Sequence, residues 1–564
     1  MKKINRKEIS ILFLILLIAA FLRFWQLAKV PASPDWDEAA LGYNAYSLLK
    51  TGKDEYGKSW PLILRSFDDY KPAIYAYLAI LPIKFFGLNL WAVRLPSAII
   101  GILAVLLTYY LVNELFISEL KKDNKPVNSL TRNKLIALTA SFLLAISPWH
   151  LQFSRAAFES ATGMFLDILV AWLFLKSLKN PKYLVLAAFL AGLNIYVYQA
   201  EKIFTPLLVL TMFLIWRKQL FRLPRKFLFT ALLVGFLTVL PFLKLALTTP
   251  EIFLRAKGTS FAADQTVFLS RTVQKLIRDI NCNDTLGLIL DNRRITYGLS
   301  FLSGYLSHFD FNWLFISGDD ARHHAPGMGL MYLVELPFFL YGIYRLIFEK
   351  ELFKEKLFFF FWFLIAPFPA AFTSGVPHAV RALRFLPVIQ IFTAIGVFDF
   401  YELIKKRSVF LKFLIVIFIF LFFIFNFIYY LNQYFIQLNY FTSQSWQYGY
   451  EQAVAEIKKI EPRYEKIIVS NQPHLDQSYM FFLFYLRYDP IKYQQEGGTV
   501  SGGFAEERNA FGKYVFRPIE WSKEEKSEKI LYVGRPEDFP GEKPVVKTIY
   551  FLNGEPAIKI VSGK

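Results

Sequence analysis

Of the 564 residues, 55% are hydrophobic and 60 are Phe, more apolar surface than one soluble core can bury, so the chain reads as a polytopic membrane protein. The formal net charge of +19 does not point to nucleic acid, because Lys and Arg fall in short loops between apolar stretches, where they set orientation. A single cysteine, Cys282, excludes an intrachain disulfide and a cysteine-based zinc site, and six His argue against a His-rich metal cage.

Hydropathy predicts about eleven membrane helices of roughly 17 to 25 residues. They fall near 9–28, 91–116, 135–147, 159–178, 182–198, 200–216, 227–247, 328–348, 357–373, 382–404 and 409–431. The first has a basic start and no small-residue cleavage site, so it reads as a retained signal anchor. The stretch 72–88 is apolar enough to span as well, and charge decides its place. If it lies along the interface, the basic loops share one side with the N-terminus: Lys2, Lys3, Arg6 and Lys7; Lys121, Lys122, Lys125, Arg132 and Lys134; Lys350, Lys354 and Lys356. As a full span it would send the later clusters outside, against the positive-inside rule, so it is assigned as a juxtamembrane helix.

That parity places the N-terminus in the cytoplasm. Two long loops, about 29–90 and 248–327, fall outside, as does the polar segment 432–564. The expected division is a membrane domain over 1–431 and a small extracytoplasmic α/β domain over 432–564. The runs 466–470, 529–534 and 546–551 have strand character, and 447–460 is amphipathic.

The first outer loop carries Pro34-Asp-Trp-Asp-Glu38, then Phe67-Asp68-Asp69-Tyr70-Lys71-Pro72. Asp37 and Glu38 open a helix that runs to about Lys50, and at its positive end their carboxylates stay ionised. An ionised carboxylate facing the interface is a base. Transfer of a sugar to a hydroxyl needs a base, whereas a lipid phosphate leaves as a stable anion and needs no acid. Successive helical residues point about 100° apart, so the two acids take different roles: Asp37 as base, Glu38 as its orienting partner. The bland reading is that both merely cap the helix.

Cations near this surface would hold the phosphate. Lys71 is the first candidate, with snorkelling as its alternative. Arg155 and Glu159 lie at the outer end of a hairpin between spans, either as an ion pair or as contacts to phosphate or sugar. The second long loop closes with Gly318-Asp319-Asp320-Ala-Arg322-His323-His324. Adjacent His323 and His324 are poorly spaced for shared ligation, so acceptor or phosphate binding is preferred there over a metal site. In Pro377-His378-Ala-Val-Arg381-Ala-Leu-Arg384, two Arg one helical turn apart form either a phosphate clamp or a snorkelling pair.

Taken together, Asp37-Glu38, Asp69-Tyr70-Lys71-Pro72 at the start of the juxtamembrane helix, Arg94-Leu95-Pro96-Ser97 and Ser147-Pro148 followed by Arg155 and an acid resemble the GT-C membrane glycosyltransferases. The likeness is to the protein O-mannosyltransferase and lipid A aminoarabinose transferase branch, and covers roughly residues 1–400. It implies a polytopic α-helical GT-C fold and inverting transfer from a polyprenyl-phosphate sugar, with Asp37 at the catalytic position. Lys71, Arg155, Arg381 and Arg384 are then candidates for the donor phosphate. Asp69, Tyr70, Glu159, Asp319, Arg322, His323 and His378 are candidates for substrate. The resemblance implies no metal and no other cofactor. The acceptor is a protein, glycolipid or polysaccharide hydroxyl, and the location a plasma membrane. Where the protein mannosyltransferases carry His-Pro-Pro, this chain has Lys71-Pro72-Ala73, closer to the aminoarabinose branch. The rival class is a transporter or flippase, which would place ionisable residues mid-span. Asp167 and Glu335 are the two such positions.

Overall fold

A computed structural model describes residues 6–67, 69–120, 127–349, 353–500, 509–541 and 544–564. Of the positions named above, Lys2, Lys3, Asp68, Lys121, Lys122, Lys125 and Lys350 lie outside these residues. The chain forms two compact units. One comprises Met1–Ala19, Ile102–His150 and Gly163–Phe427; the other comprises Ala20–Gly101, Leu151–Thr162 and Ile428–Lys564.

Each stretch expected to span contains helix, but not all are long enough. Six helices have the length and apolarity to cross a bilayer: Leu90–Phe116, Glu159–Ser177, Glu201–Leu220, Arg225–Thr248, Leu383–Ile404 and Val409–Thr442. A seventh arises if Arg132–Ile146 and Pro148–Arg155 are one broken span. Among the described residues, length and composition alone thus support six or seven of the expected eleven. The shortfall has local causes. Helix Arg6–Phe24 carries Arg6, Lys7, Glu8 and Arg23. Helices Lys182–Asn194, Leu336–Phe348 and Phe353–Ile365 have 13 residues each, about 20 Å at 1.5 Å per residue against about 30 Å of hydrocarbon. The debated stretch 72–88 is also a 13-residue helix, Ile74–Phe86, too short to cross.

In the first unit, Val409–Asn432 leaves Phe410, Phe413, Phe418 and Phe425 exposed, a surface suited to lipid. Helices Leu336–Phe348 and Val388–Ile404 meet through glycine: a Cβ at Gly342 would collide with the Phe392 carbonyl, and one at Gly396 with that of Phe338. Small residues at such a crossing let two membrane helices approach backbone to backbone. Two members of the basic clusters are held by acids, Arg132 by Asp399 at 3.0 Å and Lys134 by Glu8.

The second unit holds all eight strands found among the described residues. β1 (Ile63–Ser66) and β2 (Asp69–Pro72) form an antiparallel hairpin. β3 (Lys466–Val469), β4 (Asn509–Phe511), β5 (Tyr514–Phe516), β6 (Ile530–Gly534), β7 (Val545–Tyr550) and β8 (Pro556–Ser562) form one sheet of order β4-β5-β3-β6-β8-β7. Strand β3 runs parallel to both neighbours, and the other pairs are antiparallel. The expected strands and the amphipathic helix, here Tyr450–Ile460, are present; β4, β5 and β8 have too few residues or too mixed a pattern to stand out in the sequence.

The expected boundary at 431/432 gives way to a shared core. Tyr450, Tyr479, Phe481, Phe482 and Phe516 are buried together with Ala39, Tyr43, Leu64, Tyr75 and Ala79 from the first outer loop. The rings of Tyr450 and Phe481 stack 4.3 Å apart. A Cβ at Gly42 would lie 2.7 Å from Val93 and 2.8 Å from Phe484, so only glycine lets these elements close. The aromatic residues that complete this core are widely separated in the sequence, which conceals their association.

Candidate active site

Helix Trp36–Thr51 begins at an N-cap, Asp35, whose carboxylate accepts the Glu38 amide hydrogen at 2.8 Å. It ends at Gly52, in the left-handed region at φ 69°, where glycine avoids the Cβ penalty. Capping is therefore done by Asp35, and Asp37 and Glu38 sit in the first turn.

The two adjacent acids meet opposite environments. Glu38 is fully buried and accepts from Arg94 Nε at 2.8 Å, Arg94 Nη2 at 2.7 Å and the Ala157 amide at 2.7 Å. Arg94, also fully buried, sends its remaining N–H groups to the carbonyls of Leu27 at 3.0 Å, Pro31 at 2.8 Å and Ser33 at 2.9 Å. Glu38 is thus locked into a structural ion pair that fastens the outer loop to the start of helix Leu90–Leu120. Asp37 instead forms an ion pair with Lys71, and its side chain is 23% exposed.

Lys71 comes from the hairpin. The residue before a proline avoids the α region, so Lys71 is extended in β2, opposite Leu64, and not in the first turn of a helix as the sequence reading had it. Its ammonium also sits 4.8 Å from the centre of the Phe67 ring. Asp69 and Tyr70 occupy the same strand, opposite Ser66 and Arg65. Asp37 and Lys71 are thus expected site residues that the fold brings together, with part of the acid left open.

Arg155 is placed differently. It is fully buried and donates to the carbonyls of Leu22 at 2.5 Å, Arg23 at 3.0 Å, Gln26 at 3.3 Å and Val30 at 3.0 Å, with its guanidinium 4.9 Å from the Phe435 ring centre. Those carbonyls close the end of the first helix, so this Arg ties down backbone. Glu159 is buried at the start of helix Glu159–Ser177.

The clamp expected from Arg381 and Arg384 is also absent in the first unit. Arg381 precedes the 3-10 turn Leu383–Phe385, and the two side chains go to different partners. Arg384 is fully buried in an ion pair with Glu201, whereas Arg381 donates to Thr373 Oγ1 at 2.6 Å and the Ser374 carbonyl at 2.9 Å. Asp167 accepts from Asn194 at 2.9 Å and Thr205 at 2.8 Å. Glu335 is buried, and neither carboxylate oxygen has a partner among the described residues.

The same unit gathers a histidine cluster. Asp319 accepts the Ala379 amide at 2.6 Å and faces His323 Nδ1 at 3.1 Å, and the rings of His323 and His378 lie 4.9 Å apart. The His378 amide donates to His308 Nε2 at 3.2 Å, and His308 Nδ1 bonds the Gly304 carbonyl at 2.7 Å. Burial lowers His308 to about 4, so its ring is neutral. Burial, then the charge of Arg381, pushes His378 well below the usual imidazole range. Arg322 lies beside Asp320, at 3.3 Å.

Sequence reasoning passed over Glu55. It is fully buried and accepts from Asn44 at 3.0 Å, Tyr479 at 3.2 Å and Thr499 at 2.8 Å. Burial pushes it up to about 7. A cavity of about 350 Å³ opens elsewhere in the second unit, lined among others by Trp91, Lys458, Phe484 and Arg487; neither Asp37 nor Lys71 lines it.

Against solved structures, the chain matches the oligosaccharyltransferase AglB of Archaeoglobus fulgidus, in complex with an inhibitory peptide and a dolichol-phosphate, with a TM-score of 0.52 at 14% identity. That match covers 94% of this chain and 69% of AglB. ArnT of Cupriavidus metallidurans matches in its apo state with a TM-score of 0.51 at 12% identity, over 98% of this chain and 97% of ArnT. The undecaprenyl phosphate complex of ArnT matches with a TM-score of 0.50 at 12% identity, over 99% and 97%. The chain shares the fold of these two proteins. No family model matches it. YkcB of Bacillus subtilis (strain 168), provisionally named a mannosyltransferase, is 28% identical over 207 residues, which is 36% of this chain and only 26% of YkcB. As this chain builds that fold, the Asp37–Lys71 pair lies in the segment 29–90, beside the buried Glu38–Arg94 pair.

Proposed function

We propose that the protein is an inverting membrane glycosyltransferase that moves a sugar from a polyprenyl-phosphate donor to an acceptor hydroxyl at the outer face of a plasma membrane. The observation that carries this reading is the partly open carboxylate of Asp37 held against the Lys71 ammonium, next to the apolar interfacial helix Ile74–Phe86. In the resting state each charge neutralises the other. An arriving lipid phosphate competes for Lys71 and leaves Asp37 free. The Asp37 carboxylate then takes the proton of the acceptor hydroxyl as its oxygen attacks the anomeric carbon. The bond to the phosphate oxygen breaks from the opposite face, and its electron pair stays on the departing phosphate, which Lys71 neutralises. A single base is enough, unlike the carboxyl pair of glycoside hydrolases. The charge distribution supports a cytoplasmic N-terminus and an outward C-terminal segment, and that segment is the natural place for acceptor recognition.

The fold of AglB and ArnT supports the class, and the dolichol-phosphate bound to AglB and the undecaprenyl phosphate bound to ArnT support the donor type. The experiment is transfer from radiolabelled polyprenyl-phosphate sugars into membrane extract by the purified protein, with Asp37→Asn alongside. Label moving only with Asp37 intact supports the reading. Label moved equally by the variant removes Asp37 as the base, and substrate-driven vesicle leakage without transfer favours transport.

A further inference from the structure

The sequence offers no metal motif, since His323 and His324 are adjacent and Cys282 is alone. Folding changes the partner: the second imidazole comes from His378, in the turn before Leu383–Phe385. We propose that Asp319, His323 and His378 bind one divalent transition-metal ion of the zinc class, as a site separate from the Asp37–Lys71 chemistry.

Three observations carry it. The three residues each offer a donor atom, and these atoms all lie within 4.8 Å of one another. Two buried donor atoms have no partner among the described residues, Asp319 Oδ1 and His378 Nδ1. Buried polar atoms are normally paired, so each needs an explanation, and a bound cation supplies one for both. The rest of the cluster is already fixed: Asp319 Oδ2 accepts the Ala379 amide at 2.6 Å, and His308 has both ring nitrogens engaged. His308 thus braces the backbone at His378 and is not itself a ligand. His324 turns its Nδ1 to the Ala325 carbonyl at 2.9 Å.

The donor set decides the metal class. Two imidazoles and one carboxylate suit zinc and its neighbours, whereas calcium and magnesium require mainly oxygen. Three protein ligands leave a fourth position for water. A tetrahedral ion with ligands at about 2.0–2.1 Å needs donors about 3.3 Å apart, so side-chain rotation of His378 and Asp319 closes the site on the ion. Nearby Arg381 is directed to Thr373 and Ser374, which limits its opposition to a cation. The consequence is a staple joining the end of the second outer loop to the turn at 377–379, two segments of one unit.

The full-length protein, purified without a histidine tag, stripped with chelator and re-equilibrated with zinc, is tested by elemental analysis after desalting. The expected result is one zinc per chain, a higher melting temperature with zinc than without, and affinity at least about tenfold weaker in His378→Gln and Asp319→Asn. Zinc near zero per chain, or retention unchanged in both variants, overturns the site. If neither variant folds, cobalt substitution of the wild type decides: intense tetrahedral ligand-field bands support the site, and the pale spectrum of a hydrated octahedral ion refutes it.

Discussion

Replacing Glu38 by Gln removes one charge and keeps the shape, which makes it a sharp test of the division of labour between the two adjacent acids. The native carboxylate serves three donors, two on Arg94 and the Ala157 amide, at 2.7 to 2.8 Å. A carboxamide has a single oxygen for those three, and its NH2 must face either a guanidinium N–H or the Ala157 N–H. Arg94 is then left as a fully buried cation hydrogen-bonded to neutral carbonyls, with Asp35 as the remaining acid that acts on it. Breaking a buried pair from one side costs about 3–5 kcal/mol. At about 2–4 °C per kcal/mol for a unit of some 200 residues, the melting temperature falls by roughly 10 °C. Tryptophan fluorescence on heating in detergent reads this directly. Asp37→Asn in the same assay shifts less than Glu38→Gln, because the Asp37 side chain is 23% exposed whereas Glu38 and Arg94 are fully buried, although it leaves the buried Lys71 ammonium without its acid. If Glu38→Gln melts within about 2 °C of wild type, or if Asp37→Asn is the more damaging to stability, the assignment of Glu38 to structure and Asp37 to chemistry is wrong.

Asp37→Asn lowers the transfer rate by about 10²–10⁴-fold, the range for loss of a general base, and a rate within a few-fold of wild type would remove it from the mechanism. Lys71→Met weakens donor use chiefly through KM, measured by titrating the polyprenyl-phosphate sugar; an unchanged KM with intact turnover would refute the phosphate role. Glu55 gives a pH test with a defined sign. A carboxyl raised to about 7 keeps its proton in the folded state where the unfolded chain has lost it, so its contribution is present below about 4.5 and is lost as pH rises to 7. The span corresponds to about 3 kcal/mol, and Glu55→Gln should flatten the wild-type fall in thermal stability between pH 5 and 7. Gly342→Ala pushes a methyl against the Phe392 carbonyl and loosens the helix crossing, with an expected loss of about 1–3 kcal/mol, read as a lower melting temperature.

Hydropathy and charge made most of the helices legible, because a lipid-facing stretch such as Val409–Asn432 advertises itself in composition. The length of each was less readable. Leu336–Phe348 and Phe353–Ile365 are mostly apolar, yet turns at Glu349 and Ala366 cut them short. At the site, Asp37 and Lys71 were both named from residue type, and the fold brings them together. Arg155 and Arg384 show where that reasoning stops. A buried Arg that ties down backbone carbonyls and a surface Arg waiting for phosphate look identical in one sequence; only the position of the carbonyls of Leu22, Arg23, Gln26 and Val30, or of Glu201, separates them. The strand at Lys71 was hidden for another reason. Its Pro72 was read as the start of a helix, although the same ring forces the preceding residue into extended conformation.

The shared core of the second unit bears on how the protein is made. Helix Trp36–Thr51 emerges early in synthesis, yet Tyr450, Tyr479, Phe481 and Phe482, which pack against its apolar face, belong to the final quarter of the chain. Until those rings arrive, the helix has only the early part of its packing, from Tyr75, Ala79 and their neighbours. The core of the second unit is thereby completed only when the last quarter of the chain has been made, and a stop codon after the last apolar helix would leave the first-loop side of that core without its aromatic cover.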